Sequence, residues 1–382
     1  MKFIPYSRQH INEDDIKAVE EVLRSDFLTT GPMIGKFEES VKNYCGAKHG
    51  VALSNGTAAL HVALLALGVG EGDIVWTSPI SFVASANCAL YVGADIDFVD
   101  VDIKTGNICL NSLETKLEQA KKQNKLPKAI VIVHFSGRAI DIKAVKKLSD
   151  KYGFYTIEDS AHALGGAYEN GDKVGSGKYS DATTFSFHPV KSIATGEGGM
   201  IMTNNDDLAA KMRLLVCHGI TRNEPQMEWE SEGAWYYQQV DLGYNYRMTD
   251  IQCALGLSQM KRLDEFMKKR NEQAVKYKEL LAGLPLDLPA PDANSSWHIY
   301  VLQLADPSKR KEFFDYLRAA NIGVNVHYIP IHLQPYYKKL GFKAGEFPAA
   351  EEFYARGISI PLFPELTGDE QEYIVEKIRG FL

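Results

Sequence analysis

Three short segments of this 382-residue chain carry residues whose types and spacing could do chemistry together. Lys191 closes Phe185-Ser186-Phe187-His188-Pro189-Val190-Lys191, and Thr195-Gly196-Glu197-Gly198-Gly199 follows it. A lysine in a loop between apolar strands loses hydration, which lowers its pKa and favours imine chemistry. Asp159 stands in Glu158-Asp159-Ser160-Ala161-His162, just past an apolar run. A carboxylate there must be paired or solvated, and a protonated heterocycle nitrogen could pair with it. Ser54-Asn55-Gly56-Thr57-Ala58 lies between a strand-like run and a helix-like one. Free N–H groups and the helix dipole at such a junction suit a phosphate dianion, and Gly56 admits close approach of a ligand.

Each segment also has a plain reading. Any single lysine is most often an exposed loop residue. Asp159 could cap the next turn, and Ser54 to Ala58 could simply cap a helix. A lone histidine such as His162 is more often structural than catalytic. The glycines 196, 198 and 199 could form a tight turn.

The elements that must position these residues follow from hydrophobic periodicity. Asn12 to Leu23 predicts a helix capped by Asn12, with acids in its first turn and an apolar stripe of Ile16, Val19, Val22 and Leu23. Leu28 to Pro32 is turn-rich, and Phe37 to Cys45 predicts a second helix. Strands are expected at 49–53, 73–77, 96–101, 129–134, 154–158, 182–187 and 200–203. Helices are expected at 58–67, 81–91, 113–120 and 142–152. This alternation predicts an α/β fold, a mostly parallel sheet with helices on both faces. In open sheets of this kind ligands sit at the carboxyl ends of the strands, where the three segments fall. From about residue 250 the pattern changes. Ile251 to Arg270 and onward reads as one long helix shared by both parts. It is followed by strands at 297–304 and 324–328 and helices at 308–320, 349–356 and 368–379. Two domains are expected, 1–250 with an N-terminal arm and a large α/β unit, and 251–382 as a smaller C-terminal α+β unit.

Composition excludes several classes. The net charge of -7, with both signs interleaved, gives no electrostatic case for nucleic acid. Cys45, Cys88, Cys109, Cys217 and Cys253 are odd in number and form no C-x-x-C pair, so a reduced cytoplasmic setting is expected rather than a disulfide framework. The N-terminus lacks a signal-peptide core, and no apolar run is long enough to span a bilayer. There is no P-loop, no H-E-x-x-H and no zinc-like Cys/His spacing, so no metal is expected. Gly68-Val69-Gly70-Glu71-Gly72 follows a helix rather than a strand, the wrong context for a dinucleotide site.

In order and spacing, Ser54-Asn55-Gly56-Thr57-Ala58-Ala59-Leu60, Glu158-Asp159-Ser160-Ala161-His162-Ala163-Leu164-Gly165, Phe185 to Lys191, Thr195 to Gly199 and Gly243-Tyr244-Asn245-Tyr246-Arg247-Met248 together resemble one family. It is the DegT/DnrJ/EryC1/StrS sugar aminotransferases, within the fold-type I, aspartate aminotransferase-like transferases that use pyridoxal 5'-phosphate. The resemblance covers nearly the whole chain. It implies Lys191 as the Schiff-base lysine, Asp159 on the pyridinium nitrogen, and His162 beside the ring and its O3' oxygen. It implies Phe82 stacked on the ring, Gly56, Thr57 and Ser186 on the phosphate, and Asn245 reaching that phosphate from the other subunit of a homodimer. Within the family, the segments Pro5-Tyr6-Ser7, Leu28 to Gly31, Ser78 to Ala84 and Val326-His327-Tyr328-Ile329-Pro330 resemble the branch that serves pseudaminic acid biosynthesis. That branch takes its amino group from L-glutamate and delivers it to C4 of a UDP-2-acetamido-2,6-dideoxy-4-keto-hexose. The nucleotide sugar would meet Tyr6, Asp26, Phe27, Leu28, Thr29, Val326, His327, Tyr328 and Ile329.

Three rivals share the motifs. A 3-dehydratase of the same family replaces the lysine with histidine, whereas Lys191 is intact here. Another sugar aminotransferase could act at C3 or on a dTDP or GDP sugar. A cofactor-binding regulator that has lost catalysis is opposed by the complete set Asp159, His162, Ser186 and Lys191.

Overall fold

The computed structural model describes residues 2–382. Its first part runs α1 (Glu13–Leu23), α2 (Pro32–Cys45), β1 (His49–Leu53), α3 (Gly56–Ala66), β2 (Ile74–Thr77), α4 (Ala84–Tyr91), β3 (Asp95–Phe98), α5 (Leu110–Lys122), β4 (Ala129–Val133), α6 (Ile142–Tyr152), β5 (Tyr155–Asp159), β6 (Ala182–Ser186), β7 (Gly199–Thr203) and α7 (Asp206–Leu215). The cap read from sequence is present: Asn12 and Asp15 form a reciprocal capping box at α1.

Strands β1 to β7 form one sheet in the order β1-β7-β6-β5-β4-β2-β3. Only β7 runs antiparallel to its neighbours; the other pairs are parallel. Both faces are covered, and β4 shows why its sequence is continuously apolar. Val131 and Val133 enter the core under α3 and α4, while Ile130 and Ile132 enter the opposite core with α2, α5 and α6.

The remainder contains the short pair β8 (Ile220–Thr221) and β9 (Gln238–Gln239), then α8 (Asp250–Met260), α9 (Leu263–Leu280), β10 (Leu286–Asp287), β11 (Tyr300–Leu304), α10 (Arg310–Ala319), α11 (Pro335–Lys339), α12 (Pro348–Arg356), β12 (Gly357–Ile360) and α13 (Gly368–Phe381). Strands β10, β11 and β12 make a small antiparallel sheet with its own core, which includes Ile4 from the N-terminal arm.

Two expectations need correction. The long helix after 250 is two helices, because Arg262 leaves helical geometry at φ -113°, ψ 4°. No glycine or proline marks the break. Tertiary contacts make it: Gln259 and Arg262 turn back to bond Asp15 and His10 of the N-terminal region. Phe266 and Met267 of α9 then stay in the large core while Ala274 and Tyr277 enter the small one. The segment 324–328 is not a strand. Only Asn325 bridges to Ser359, and the chain then turns toward the large sheet, where Tyr328 meets His162.

Candidate active site

Strands β5 and β6 end side by side in parallel register, Asp159 opposite Thr184, and a cavity of about 1010 Å³ opens over that edge. Asp159 is the last residue of β5 and is 7% exposed. Its two oxygens are held from different sides. Ser85 Oγ on α4 donates to Oδ2 at 2.5 Å, and the Ala161 N–H donates to Oδ1 at 3.2 Å.

Lys191 is presented by the turn that closes when its N–H donates to the His188 carbonyl, 2.9 Å away. Its side chain is half-buried and lines the cavity. Burial draws its ammonium down to about 8, against the opposing pull of the Asp159 charge. An amine near neutrality of this kind can act as nucleophile and as base.

His162 is buried between layers. The Ser136 N–H donates to its Nδ1 at 3.3 Å, so in the neutral ring Nε2 carries the proton and faces Tyr328 Oη at 3.2 Å. Burial, reinforced by Lys191 and His327, holds the imidazole well below its usual range, so it is neutral at pH 7. His298 packs against it and is likewise held low by burial. His327 is drawn down to about 3 by burial and by Lys191, and its Nδ1 meets Ser359 Oγ at 2.7 Å.

The far end of the cavity is built by the start of α3. Asn55 caps the helix by accepting from the Ala58 N–H at 2.8 Å, which leaves the Gly56 and Thr57 amides unpaired at the cavity wall. Glycine is required here by proximity. A Cβ on Gly56 would lie 2.9 Å from Ser186 Cβ, and one on Gly199 would lie 2.5 Å from the Asn55 carbonyl. Gly199 therefore serves close packing of β7 against the helix start, while Gly196 takes the positive φ of 81° that its turn requires.

The structure brings Tyr6, Gly56, Thr57, Phe82, Asp159, His162, Ser186, Lys191, Val326, His327, Tyr328 and Ile329 to this one cavity. Asp26, Phe27, Leu28 and Thr29 lie exposed and away from it. Asn245 is exposed as well and lines no part of this chain's cavity. Sequence reading missed Ser85, Ser136 and His298. The i, i+4 pair Ser81 and Ser85 was the one visible signal for the first; nothing local couples Ser136 or His298 to His162.

The residues present fit pyridoxal phosphate. Two unpaired amides at a helix N-terminus suit its phosphate, a buried carboxylate suits its ring nitrogen, and an amine with no hydrogen-bond partner among the described residues suits its aldehyde. No group of three or more His, Cys, Asp or Glu among the described residues could hold a metal ion, and no helix among them is long and apolar enough to cross a membrane.

Residues 9–379 match the sequence profile of the DegT/DnrJ/EryC1/StrS aminotransferase family. The chain is 40% identical to the spore coat polysaccharide biosynthesis protein SpsC of Bacillus subtilis, covering 100% of this chain and 97% of that protein. It is 37% identical to the UDP-4-amino-4,6-dideoxy-N-acetyl-beta-L-altrosamine transaminase of Campylobacter jejuni, covering 99% and 97%. Among solved structures, Helicobacter pylori PseC, an aminotransferase involved in pseudaminic acid biosynthesis, superposes with a TM-score of 0.90 at 33% identity over 99% of both chains. The sugar aminotransferase Spr1654 of Streptococcus pneumoniae in its PMP form gives 0.89 at 30% identity, over 99% of this chain and 98% of that one.

Proposed function

Because this chain belongs to the DegT/DnrJ/EryC1/StrS aminotransferase family and is a pyridoxal-phosphate-dependent sugar aminotransferase, we propose that it moves an amino group from L-glutamate to C4 of a UDP-2-acetamido-2,6-dideoxy-4-keto-hexose. The product is UDP-4-amino-4,6-dideoxy-N-acetyl-beta-L-altrosamine, for pseudaminic acid synthesis. The observation that carries this reading is the end-to-end likeness to two enzymes of that chemistry, with the corresponding wall, Tyr6 and Val326 to Ile329, inside the cavity.

Pyridoxal phosphate supplies a reactive aldehyde and a protonated ring that takes up electrons from a carbon losing its proton. The chain's own groups do the rest. The Gly56 and Thr57 amides with Ser186 would hold the phosphate, and Asp159 would hold the proton on the ring nitrogen. Neutral His162 offers a hydrogen bond from a fixed tautomer without adding charge. Lys191 would be the amine that holds the aldehyde and, when free, the base for the donor's Cα proton. It would return a proton in the second half-reaction, and because the keto acid would leave before the keto sugar enters, the kinetics would be ping-pong. No arginine of this chain lines the cavity. In our reading the enzyme is a homodimer in which Asn245 and the exposed segment Asp26 to Thr29 complete the partner's site.

The test is direct. The purified protein is incubated with L-glutamate and a panel of UDP-, dTDP- and GDP-4-keto sugars, and the amino sugar is identified by NMR. A 4-amino product from the UDP-4-keto-2-acetamido sugar supports the assignment. Turnover confined to a dTDP or GDP sugar would replace the substrate and leave the family chemistry intact.

A further inference from the structure

Asp159 is not alone under the cavity. Ser85 lies one turn beyond Ser81, with α4 beginning between them, and both are buried. Ser85 Oγ is 2.5 Å from Asp159 Oδ2, and Ser81 Oγ is 2.6 Å from Ser85 Oγ. A carboxylate can only accept, so the single Ser85 proton points to Asp159 and the Ser81 hydroxyl donates to Ser85. The first distance falls in the range of a charge-assisted O–H···O⁻ bond. Ser81 lines the cavity beside Phe82, while Ser85 does not reach it. Ser85 therefore cannot touch a ligand and can act only through Asp159.

We propose that Ser85 is a positioning residue for this reaction: its hydroxyl fixes the Asp159 carboxylate in place and concentrates negative charge there, so that the shared proton stays on the cofactor's ring nitrogen. The proposal rests on the cofactor reading given above. The logic is a competition for one proton between two bases. A donor held against the carboxylate stabilises its charged form, and the proton then lies on the heterocycle. Without that donor the carboxylate becomes the better base, the ring loses positive charge and the electron sink weakens. The same chain of hydroxyls ties the turn bearing Phe82 to Asp159, so the ring's two fixed neighbours share one support.

The experiment uses the holoenzyme loaded with pyridoxal phosphate carrying ¹⁵N in the ring. In the unaltered protein the ring nitrogen resonates at the protonated position. Ser85→Ala should move it toward the unprotonated position and lower kcat by about 10- to 100-fold, the worth of one hydrogen bond to a charge, with KM for glutamate within about twofold. Ser85→Thr, which restores a hydroxyl, should recover both. If Ser85→Ala fails to fold as the apo-protein, Ser85→Cys, a weak donor of similar volume, takes its place with the same expected direction. An unmoved ¹⁵N resonance, or an unchanged kcat, overturns the proposal and leaves Ser85 as packing. A protein that binds no labelled cofactor at all overturns the cofactor reading instead.

Discussion

The imidazoles of His162 and His298 pack 4.2 Å apart, centroid to centroid, with their planes 40° from parallel. His298 Nδ1 is buried without a hydrogen-bond partner, while its backbone N–H donates to the Ser136 carbonyl at 3.0 Å. Ser136 in turn donates its own N–H to His162. One residue thus holds the His162 ring and the His298 backbone, and neither ring can take up a proton without charging the other's surroundings.

That arrangement predicts a pH dependence of stability. His162, His298 and His327 are all held below their ordinary value by burial first. Above about pH 6.5 they are neutral folded and unfolded, and their contribution is fully present. Below it the unfolded chain binds protons that the folded chain refuses. Stability should then fall by about 1.4 kcal/mol per pH unit for each histidine, down to the folded pKa, which for His327 is about 3. Denaturant titrations of the apo-protein at pH 7.0, 6.0 and 5.5 would measure this. His327→Gln should reduce the slope by roughly one histidine's share; an identical slope in the variant contradicts the assignment.

Lys191 should be the most reactive amine of the apo-protein. With its ammonium drawn to about 8, its acylation should reach half-maximal rate near that pH, well before ordinary lysines. Borohydride reduction of the holoenzyme and peptide mapping should place the pyridoxyl mass on Lys191. Lys191→Ala should cost on the order of a thousandfold in turnover. Label found on Lys173 or Lys178 would reassign the site.

Asp159→Asn keeps the volume and can still accept from Ser85. It should fold and retain cofactor, yet lose on the order of 100-fold or more in kcat, since a neutral amide cannot hold the ring proton. Wild-type turnover in this variant would reduce Asp159 to a cap.

Gly56→Ala tests the phosphate cradle. Its Cβ would meet Ser186 Cβ at 2.9 Å, so the start of α3 must move from β6. Affinity for pyridoxal phosphate should fall by about tenfold or more, the scale of one or two amide hydrogen bonds to a charge. Affinity for unphosphorylated pyridoxal should change little. Equal losses for both would mean that the helix start does not bind phosphate.

Sharing of sites in a dimer can be tested by complementation. Asn245→Ala and Lys191→Ala should each be inactive. Mixed and re-equilibrated, they should regain activity, because one site of each hybrid keeps Lys191 and receives Asn245 from its partner. A fully active monomer in sedimentation would refute this.

The sequence by itself determined the alternating architecture and the placement of its chemistry. Apolar periodicity located β1, α6 and β6 almost to the residue, because a strand buried on both faces or a helix with one apolar stripe writes its period directly into the chain. Lys191, Asp159 and the Ser54 to Ala58 turn were legible because each sits at the end of such an element. What only the tertiary structure decided lies between elements far apart in the chain. The break at Arg262 comes from bonds to residues 10 and 15, and the path of 325–328 comes from the cavity it lines. The partners of the catalytic groups belong here too. Ser85 is 74 residues from Asp159, and Tyr328 is 166 residues from His162. A hydrogen bond across such a separation is specified by packing of the whole sheet and its helices, and no local pattern of residues encodes it.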